Sequence, residues 1–229
     1  MIPNFETFAS RPALMKAGAA RLAAALEDAI RRHGSACAAL SGGSTPEPAY
    51  RDLATMPLDW PKITFALVDE RFVSPTDTAS NQALIQRTLG PAFDAGARLL
   101  PMVFTAATVA ASADQADATY APLRIDIALM GMGEDGHTAS WFPGSRELGS
   151  ALDLDNSRTV IAAHAPQAAG AADRLTLTRA ALSRAGALML VITGDDKRAK
   201  LESALTQHDA PVSALFNDRL PAPVVMWAP

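Results

Sequence analysis

Short apolar runs that break off into polar, glycine-containing clusters recur along this chain, with helical stretches between them. Residues 36–40, 63–68, 125–130 and 188–192 are such runs, and 224–227 closes the series behind Pro221 and Pro223. Runs this short and this apolar suit strands buried on both faces. Strands that alternate with helices fold as a mostly parallel central sheet with helices on both faces, so the expected class is α/β. The helices are expected at 11–32, 47–54, 81–89 and 196–205. The first carries a stripe of Leu14, Ala17, Arg21, Leu22, Ala25, Leu26 and Ala29 and ends at His33-Gly34. Pro46 or Pro48 sits in the first turn of the second, and Ser80 caps the third. Residues 108–120 alternate Ala with Asp, Ser and Gln and are expected to form an exposed helix. Residues 159–163 are a weaker strand, and 175–182 pass from strand-like to helix-like character. The stretches 143–156 and 165–172 are the expected mobile segments, the second a lid.

Composition narrows the functions. Hydrophobic residues at 49% against 19% charged exclude an intrinsically disordered chain. A net charge of −4 leaves no basic field to gather nucleic acid or an anionic membrane, so neither is an expected partner. The single cysteine, Cys37, excludes an intramolecular disulfide and any multi-cysteine metal site, which fits a reducing compartment. Lying in Cys37-Ala-Ala-Leu40, it reads as a buried small hydrophobe rather than a reactive thiol. The opening Met1-Ile-Pro-Asn-Phe-Glu6 has no basic start before an apolar run and does not read as a signal peptide. No apolar stretch approaches the roughly 20 residues that span a bilayer, and the expected location is cytoplasmic. With 229 residues and no internal repeat, one domain over 1–229 is expected, as a monomer or small homo-oligomer.

In open α/β sheets ligands collect beyond the carboxyl ends of the strands, and the polar clusters of this chain fall there. Ser41, Gly42, Gly43, Ser44 and Thr45 lie between a strand and a helix. Glycines in such a loop let backbone amides wrap an anion, and the helix start adds positive partial charge; an ordinary turn with a Ser/Thr cap is the alternative. No Gly-Lys-Ser/Thr follows, so this is not a Walker loop. Asp69, Glu70 and Arg71 end the next run: Asp69 suits a sugar hydroxyl or acid–base work, Arg71 a phosphate or an oxyanion, unless the three are simply solvated. Gly131-Met-Gly-Glu-Asp-Gly136 matches the dinucleotide fingerprint formally, but Pro143-Gly144 interrupts the long helix such a loop should open. Asp135 and His137 are the better signal, a carboxylate close enough to orient an imidazole able to transfer protons near neutral pH. Lys197, early in a helix after Gly194, can meet a phosphate as a point charge or stand solvated. His33, His164 and His208 show no metal-ligand spacing, so no metal is expected. No Gly-x-Ser-x-Gly elbow suggests acyl transfer, and Trp60, Trp141 and Trp227 read as packing groups.

Taken in order, Ser41-Gly-Gly-Ser-Thr-Pro46, Val68-Asp-Glu-Arg-Phe-Val73 with Ser80-Asn81, Gly131-Met-Gly-Glu-Asp-Gly-His-Thr-Ala-Ser140, Arg174-Leu-Thr-Leu-Thr178 and Gly194-Asp-Asp-Lys197 resemble the 6-phosphogluconolactonase family over nearly the whole chain. The resemblance implies a modified Rossmann-like fold of the glucosamine-6-phosphate deaminase/ribose-5-phosphate isomerase/CoA-transferase type. It also implies hydrolysis of 6-phospho-D-glucono-1,5-lactone, a small sugar phosphate lactone, with no cofactor. Carried over by motif, residues 41–45 and Lys197 hold the phosphate, and Arg71 and Arg174 lie near the substrate. Asn81, Gly133 and Thr138 join the binding set, and His137 is the general base with Asp135 and Asp69 beside it. Backbone N–H groups near Gly133, or Arg71, are expected to meet the oxyanion. Two places depart from the pattern: Trp141 stands where a smaller apolar residue is commoner, and Gly170-Ala-Ala-Asp173 lacks a proline-containing approach to Arg174. A glucosamine-6-phosphate deaminase/isomerase-like enzyme is the nearest rival, although residues 138–144 supply no extra acid after the histidine before Glu147. A non-catalytic sugar-phosphate sensor is the rival of another class, for which no helix-turn-helix or basic face is visible.

Overall fold

The computed structural model describes residues 4–229, so the first three residues of the segment read for a leader lie outside the described residues. In chain order the strands are β1 (Asn4–Thr7), β2 (Ala36–Leu40), β3 (Ile63–Leu67), β4 (Asp69–Arg71), β5 (Arg98–Leu99), β6 (Ile127–Met130), β7 (Val160–His164), β8 (Asp173–Leu177), β9 (Leu188–Thr193) and β10 (Val224–Ala228). The helices are α1 (Arg11–His33), α2 (Glu47–Ala54), α3 (Asn81–Thr88), α4 (Gly90–Asp94), α5 (Val109–Tyr120), α6 (Leu148–Leu152), α7 (Arg179–Leu182) and α8 (Asp195–Gln207). Among the described residues, one sheet runs β1-β10-β9-β6-β2-β3-β5, parallel at every pairing. This is the expected α/β architecture. A second sheet, β4-β8-β7, is antiparallel and was not expected.

From β1 the chain advances through β2 and β3 to β5, then turns back through β6 and β9 to β10. Right-handed crossovers therefore place α1 to α4 on one face and α5 and α8 on the other. In keeping with this, α1 packs on α2 and α2 on α3, while α5 packs on β7 and β8. The reversal falls between neighbours β2 and β6, whose following loops diverge and open a crevice at the carboxyl ends of the strands.

Local signals account for most boundaries. Ser10 caps α1 through its Oγ, which accepts from Ala13 N, and Gly34 ends the helix at φ 79° with its amide bonded to Ile30 O. β2 is buried along its length, as a central parallel strand must be. Its Cys37 is buried, and burial with Asp126 nearby pushes the thiol up to about 12, so it is inert packing. Among the described residues no helix is long and apolar enough to cross a membrane.

One expectation needs correction. Helix α5 is not an exposed helix: Ser112, Ala113, Ala116 and Tyr120 are buried. The Tyr120 hydroxyl accepts from Leu67 N at 3.1 Å and donates to Leu100 O at 3.1 Å, and Asp117 Oδ1 accepts from the amides of Thr159 and Val160 at 2.6 and 3.0 Å. Asp117 and Tyr120 thus tether the inner side of the helix, while Asp114 and Gln115 stay exposed on its outer face. Strand β3 ends before Asp69 as expected, and the polar cluster Asp69–Arg71 forms a strand of the small sheet, β4. Val68 N donates to Leu40 O in the large sheet, Val68 O accepts from Leu177 N in the small one, and the chain continues directly into β4. The stretch 143–156 contains α6, and 165–172 is the connection between the antiparallel neighbours β7 and β8.

Candidate active site

The crevice at the β2/β6 reversal is a cleft of about 280 Å³ lined by residues 41–46, Asp69, Arg71, Asn81, Gly131, Gly133, His137, Arg174 and Lys197. Its floor is the loop after β2. Ser41 is fixed there by its amide, which donates to Leu129 O at 3.1 Å, and by its carbonyl, which accepts from the buried Tyr50 hydroxyl at 2.7 Å. Gly42 has to be glycine, because a Cβ would lie 1.8 Å from Asn81 Oδ1. The loop delivers the chain into α2, which begins after Pro46 with no side-chain cap, so its first amides stay open to an anion. On the opposite wall Lys197, in the first turn of α8, donates from Nζ to Met132 O at 2.7 Å.

The second wall is the small sheet. Arg71 on β4 and Arg174 on β8 are direct partners across an antiparallel pair, a placement of like charges that destabilises a sheet unless an anion answers it. Arg71 donates from Nη1 to Ala79 O at 2.6 Å. Arg174, only 3% exposed, donates to Ala171 O at 3.1 Å and to Ala169 O. Burial pulls the Arg174 guanidinium below its ordinary value, Asp69 opposes that and Arg71 adds to it, yet a guanidinium stays charged at neutral pH. Asp69 is buried, with Oδ2 3.9 Å from Arg174 Nη1 and accepting from Ser140 Oγ at 2.6 Å. Asn81 Nδ2 donates to Asp69 O at 2.8 Å.

Glu70 does not neutralise the arginines. It is 1% exposed and turns away to the start of α3. Oε1 accepts from the amides of Arg71 and Asn81 at 2.7 Å each, and Oε2 from Gln82 N at 2.7 Å and Ser80 Oγ at 2.9 Å. Burial pushes this carboxyl up from its ordinary value, and the four donors counter that push. Among the described residues, Ser41 Oγ, Arg71 Nε and Asn81 Oδ1 are buried without a protein hydrogen-bond partner, and all three belong to the cleft. Buried polar groups left open in this way suit a polar ligand supplying the missing partners.

His137 closes the cleft. Its Nδ1 lies 2.5 Å from Asp135 Oδ1, the same oxygen that accepts the His137 amide at 3.1 Å. A carboxylate at Nδ1 holds the proton there and leaves Nε2 as the basic nitrogen. Gly133 has to be glycine as well, since a Cβ would stand 2.2 Å from His137 Cε1. Beyond His137 a second cavity of about 770 Å³ shares Arg71, His137 and Arg174 with the cleft and extends to His164 and residues 165–169.

Most residues expected at a site are therefore brought together. Gly133 lines the cleft, but its own amide donates to His137 O at 2.9 Å within the loop, which leaves the expected oxyanion donation to neighbouring amides or Arg71. Thr138 lies outside the cleft lining: it is buried, and its hydroxyl donates to Gly131 O at 2.8 Å. No helix opens after Gly136, and the chain turns back through a bridge between Thr138 and Trp141, which disposes of a dinucleotide loop. Trp141 is a packing group, fully buried, with its indole donating to Leu177 O at 2.9 Å. His164 ends β7, with Nδ1 2.7 Å from Asp173 Oδ1. Sequence reasoning missed Tyr50, Glu70 as a buried anchor, Ser140 and Phe142. Glu70 and Ser140 stand inside motifs that carry the family resemblance, but nothing in the sequence shows that Glu70 anchors α3 or that Ser140 reaches Asp69.

An amide-lined loop at a topological reversal, opposed arginines and a carboxylate-bound histidine define an α/β protein of the class that binds small anionic ligands beyond parallel strand ends. Comparison with known proteins narrows the class. A family model described as glucosamine-6-phosphate isomerases/6-phosphogluconolactonase matches residues 9–226. The chain is 39% identical to a 6-phosphogluconolactonase of Caulobacter vibrioides over 98% of its length and 97% of that protein. It is also 39% identical to one of Rhizobium meliloti over all of both chains. A crystal structure of a 6-phosphogluconolactonase from Shewanella baltica superposes with a TM-score of 0.93 at 30% identity, covering 100% of this chain and 98% of that one. The chain belongs to the glucosamine-6-phosphate isomerase/6-phosphogluconolactonase family.

Proposed function

We propose that the chain hydrolyses 6-phospho-D-glucono-1,5-lactone to 6-phospho-D-gluconate, the second step of the oxidative pentose phosphate pathway. The observation that carries this reading is the meeting, in one cleft, of the carboxylate-bound His137 with the opposed pair Arg71 and Arg174. The 39% identity to proteins named 6-phosphogluconolactonase supports it. The loop 41–45 and Lys197 take the phosphate. His137 Nε2 accepts a proton from water as the oxygen bonds to the lactone carbonyl carbon. Asp135 steadies the imidazolium that forms. The arginine pair meets the negative charge on the carbonyl oxygen, in place of the Gly133 amide. Collapse breaks the bond to the ring oxygen, which takes the proton back from His137 and leaves as a hydroxyl, so no covalent intermediate or cofactor enters. Residues 1–229 act as one domain in the cytoplasm, as a monomer or small homo-oligomer and without nucleic acid or membrane as a partner. The family match over 9–226 and the net charge of −4 support this.

A deaminase-like reaction needs a further acid after the histidine. The first carboxylate in that direction, Glu147, accepts the His164 amide at 3.2 Å, which favours the lactonase. The deciding experiment is the decay of freshly generated 6-phosphogluconolactone with and without protein, at a pH low enough to slow spontaneous hydrolysis. Faster decay is expected, and no acceleration by folded protein rejects the reading in favour of amino-sugar phosphates or of binding without turnover. In the same assay Gly42→Ala is expected to raise KM at least about tenfold, because the new methyl collides with Asn81 and displaces the phosphate loop. An unchanged KM would separate that loop from the substrate.

A further inference from the structure

Phe142 takes no part in the scheme above, yet its ring touches two of the groups that do. Its centroid lies 4.3 Å from that of the His137 imidazole, with the planes inclined by 35°, and the Arg174 guanidinium carbon sits 5.1 Å over the same ring. The first geometry is a tilted face contact between two aromatic rings and the second a cation–π contact. The ring itself is held firmly. Its neighbour Trp141 is buried and anchored to Leu177 O, and the Phe142 carbonyl accepts from Ser145 N at 3.1 Å. Phe142 is 8% exposed and forms part of the wall of the second cavity, so it is a fixed surface with open space at its edge.

His137 needs such a surface. Asp135 holds one edge of the imidazole, but a single hydrogen bond at Nδ1 leaves the ring free to swing about that contact. The Gly133 Cα faces the ring on one side, where no Cβ would fit, so the glycine restrains little beyond close approach. A flat ring at stacking distance removes the remaining freedom and sets the direction of Nε2.

We propose that Phe142 is a positioning residue that holds the His137 imidazole, through face contact, at the angle from which Nε2 meets the attacking water. The inference rests on the proposed lactonase reaction with His137 as base. It assigns to Phe142 no contact with substrate. Loss of the aromatic face therefore lowers the fraction of molecules with a correctly aimed base and leaves phosphate binding alone.

The test compares wild type, Phe142→Leu and Phe142→Tyr in the decay of fresh 6-phosphogluconolactone, with His137→Asn alongside. Phe142→Leu is expected to lower kcat about tenfold with KM within about twofold, a misaimed base rather than a lost binding contact. Phe142→Tyr, which keeps the ring, is expected to restore kcat. A second readout is the ring-current displacement of the His137 ring protons in nuclear magnetic resonance of histidine-labelled protein. The chain has four histidines, so His137→Asn assigns the signal by difference. The displacement is expected in wild type and Phe142→Tyr and absent in Phe142→Leu. If Phe142→Leu does not fold, Phe142→Met replaces it in both measurements. An active wild type with equally active, correctly folded Phe142→Leu or Phe142→Met overturns the positioning role alone, as does a KM change as large as the kcat change. An inactive wild type overturns the lactonase reading and the inference with it.

Discussion

His137→Asn is expected to lower kcat for phosphogluconolactone hydrolysis by about 10² to 10⁴, the usual contribution of a positioned base. KM should stay within about threefold. The split follows from where the groups sit. The residues proposed for the phosphate, 41–45 and Lys197, are on β2's loop and α8, whereas His137 is carried by the loop after β6. Asparagine keeps a polar group of similar reach beside Asp135, so the loop has no reason to collapse. The measurement is proton release in weak buffer, extrapolated to zero time and corrected for the uncatalysed rate. Near-normal turnover would remove His137 as the base and shift attention to Asp69, the other carboxylate of the cleft.

Glu70→Gln is expected to lower stability by about 2–4 kcal/mol. For a chain of this size that shifts Tm down by roughly 5–15 °C. The carboxylate accepts four hydrogen bonds from both of its oxygens, three of them from backbone amides. A carboxamide has one accepting end. Turned one way, its NH2 faces the amides of Arg71 and Asn81; turned the other, it faces the Gln82 amide and Ser80. At least one buried backbone donor is left opposed by another donor in either case. Calorimetric scanning reads the shift directly, and an unchanged Tm would mean that the start of α3 is held by Ser80 alone, whose Oγ accepts from Ala83 N.

Much of this was legible before any coordinates. The runs at 36–40 and 188–192 are apolar throughout because parallel strands are covered on both faces, and that signal is local. The polar clusters named the ends of those strands, and open sheets place ligands there, so Ser41, Arg71, His137, Arg174 and Lys197 share one cleft as expected. What was hidden depends on contacts between distant residues. Nothing near Asp117 in sequence announces that its carboxylate receives the amides of Thr159 and Val160, so α5 read as wet. Glu70 read as one of three solvated charges because its donors come from a helix ten residues further on. Gly133 and Thr138 lie in the right loop, but one spends its amide and the other its hydroxyl inside that loop. Motif reading places a residue near a site and is blind to whether its donors are already engaged.

The stretch that leaves β3 and becomes β4 belongs to both sheets, with Val68 bonded to Leu40 on one side and to Leu177 on the other. The loop proposed for the phosphate begins right after Leu40, and the arginine wall begins with Asp69. Their separation is therefore set by a few extended residues locked at both ends, which act as a ruler. On the proposed reaction, ligands with the anionic group one carbon nearer the reacting carbonyl are expected to satisfy one end of that ruler but not both, and misplacement by about 1 Å can cost about 100-fold in rate. On that proposed reaction, selectivity by ligand length is the expected consequence of the seam between the two sheets.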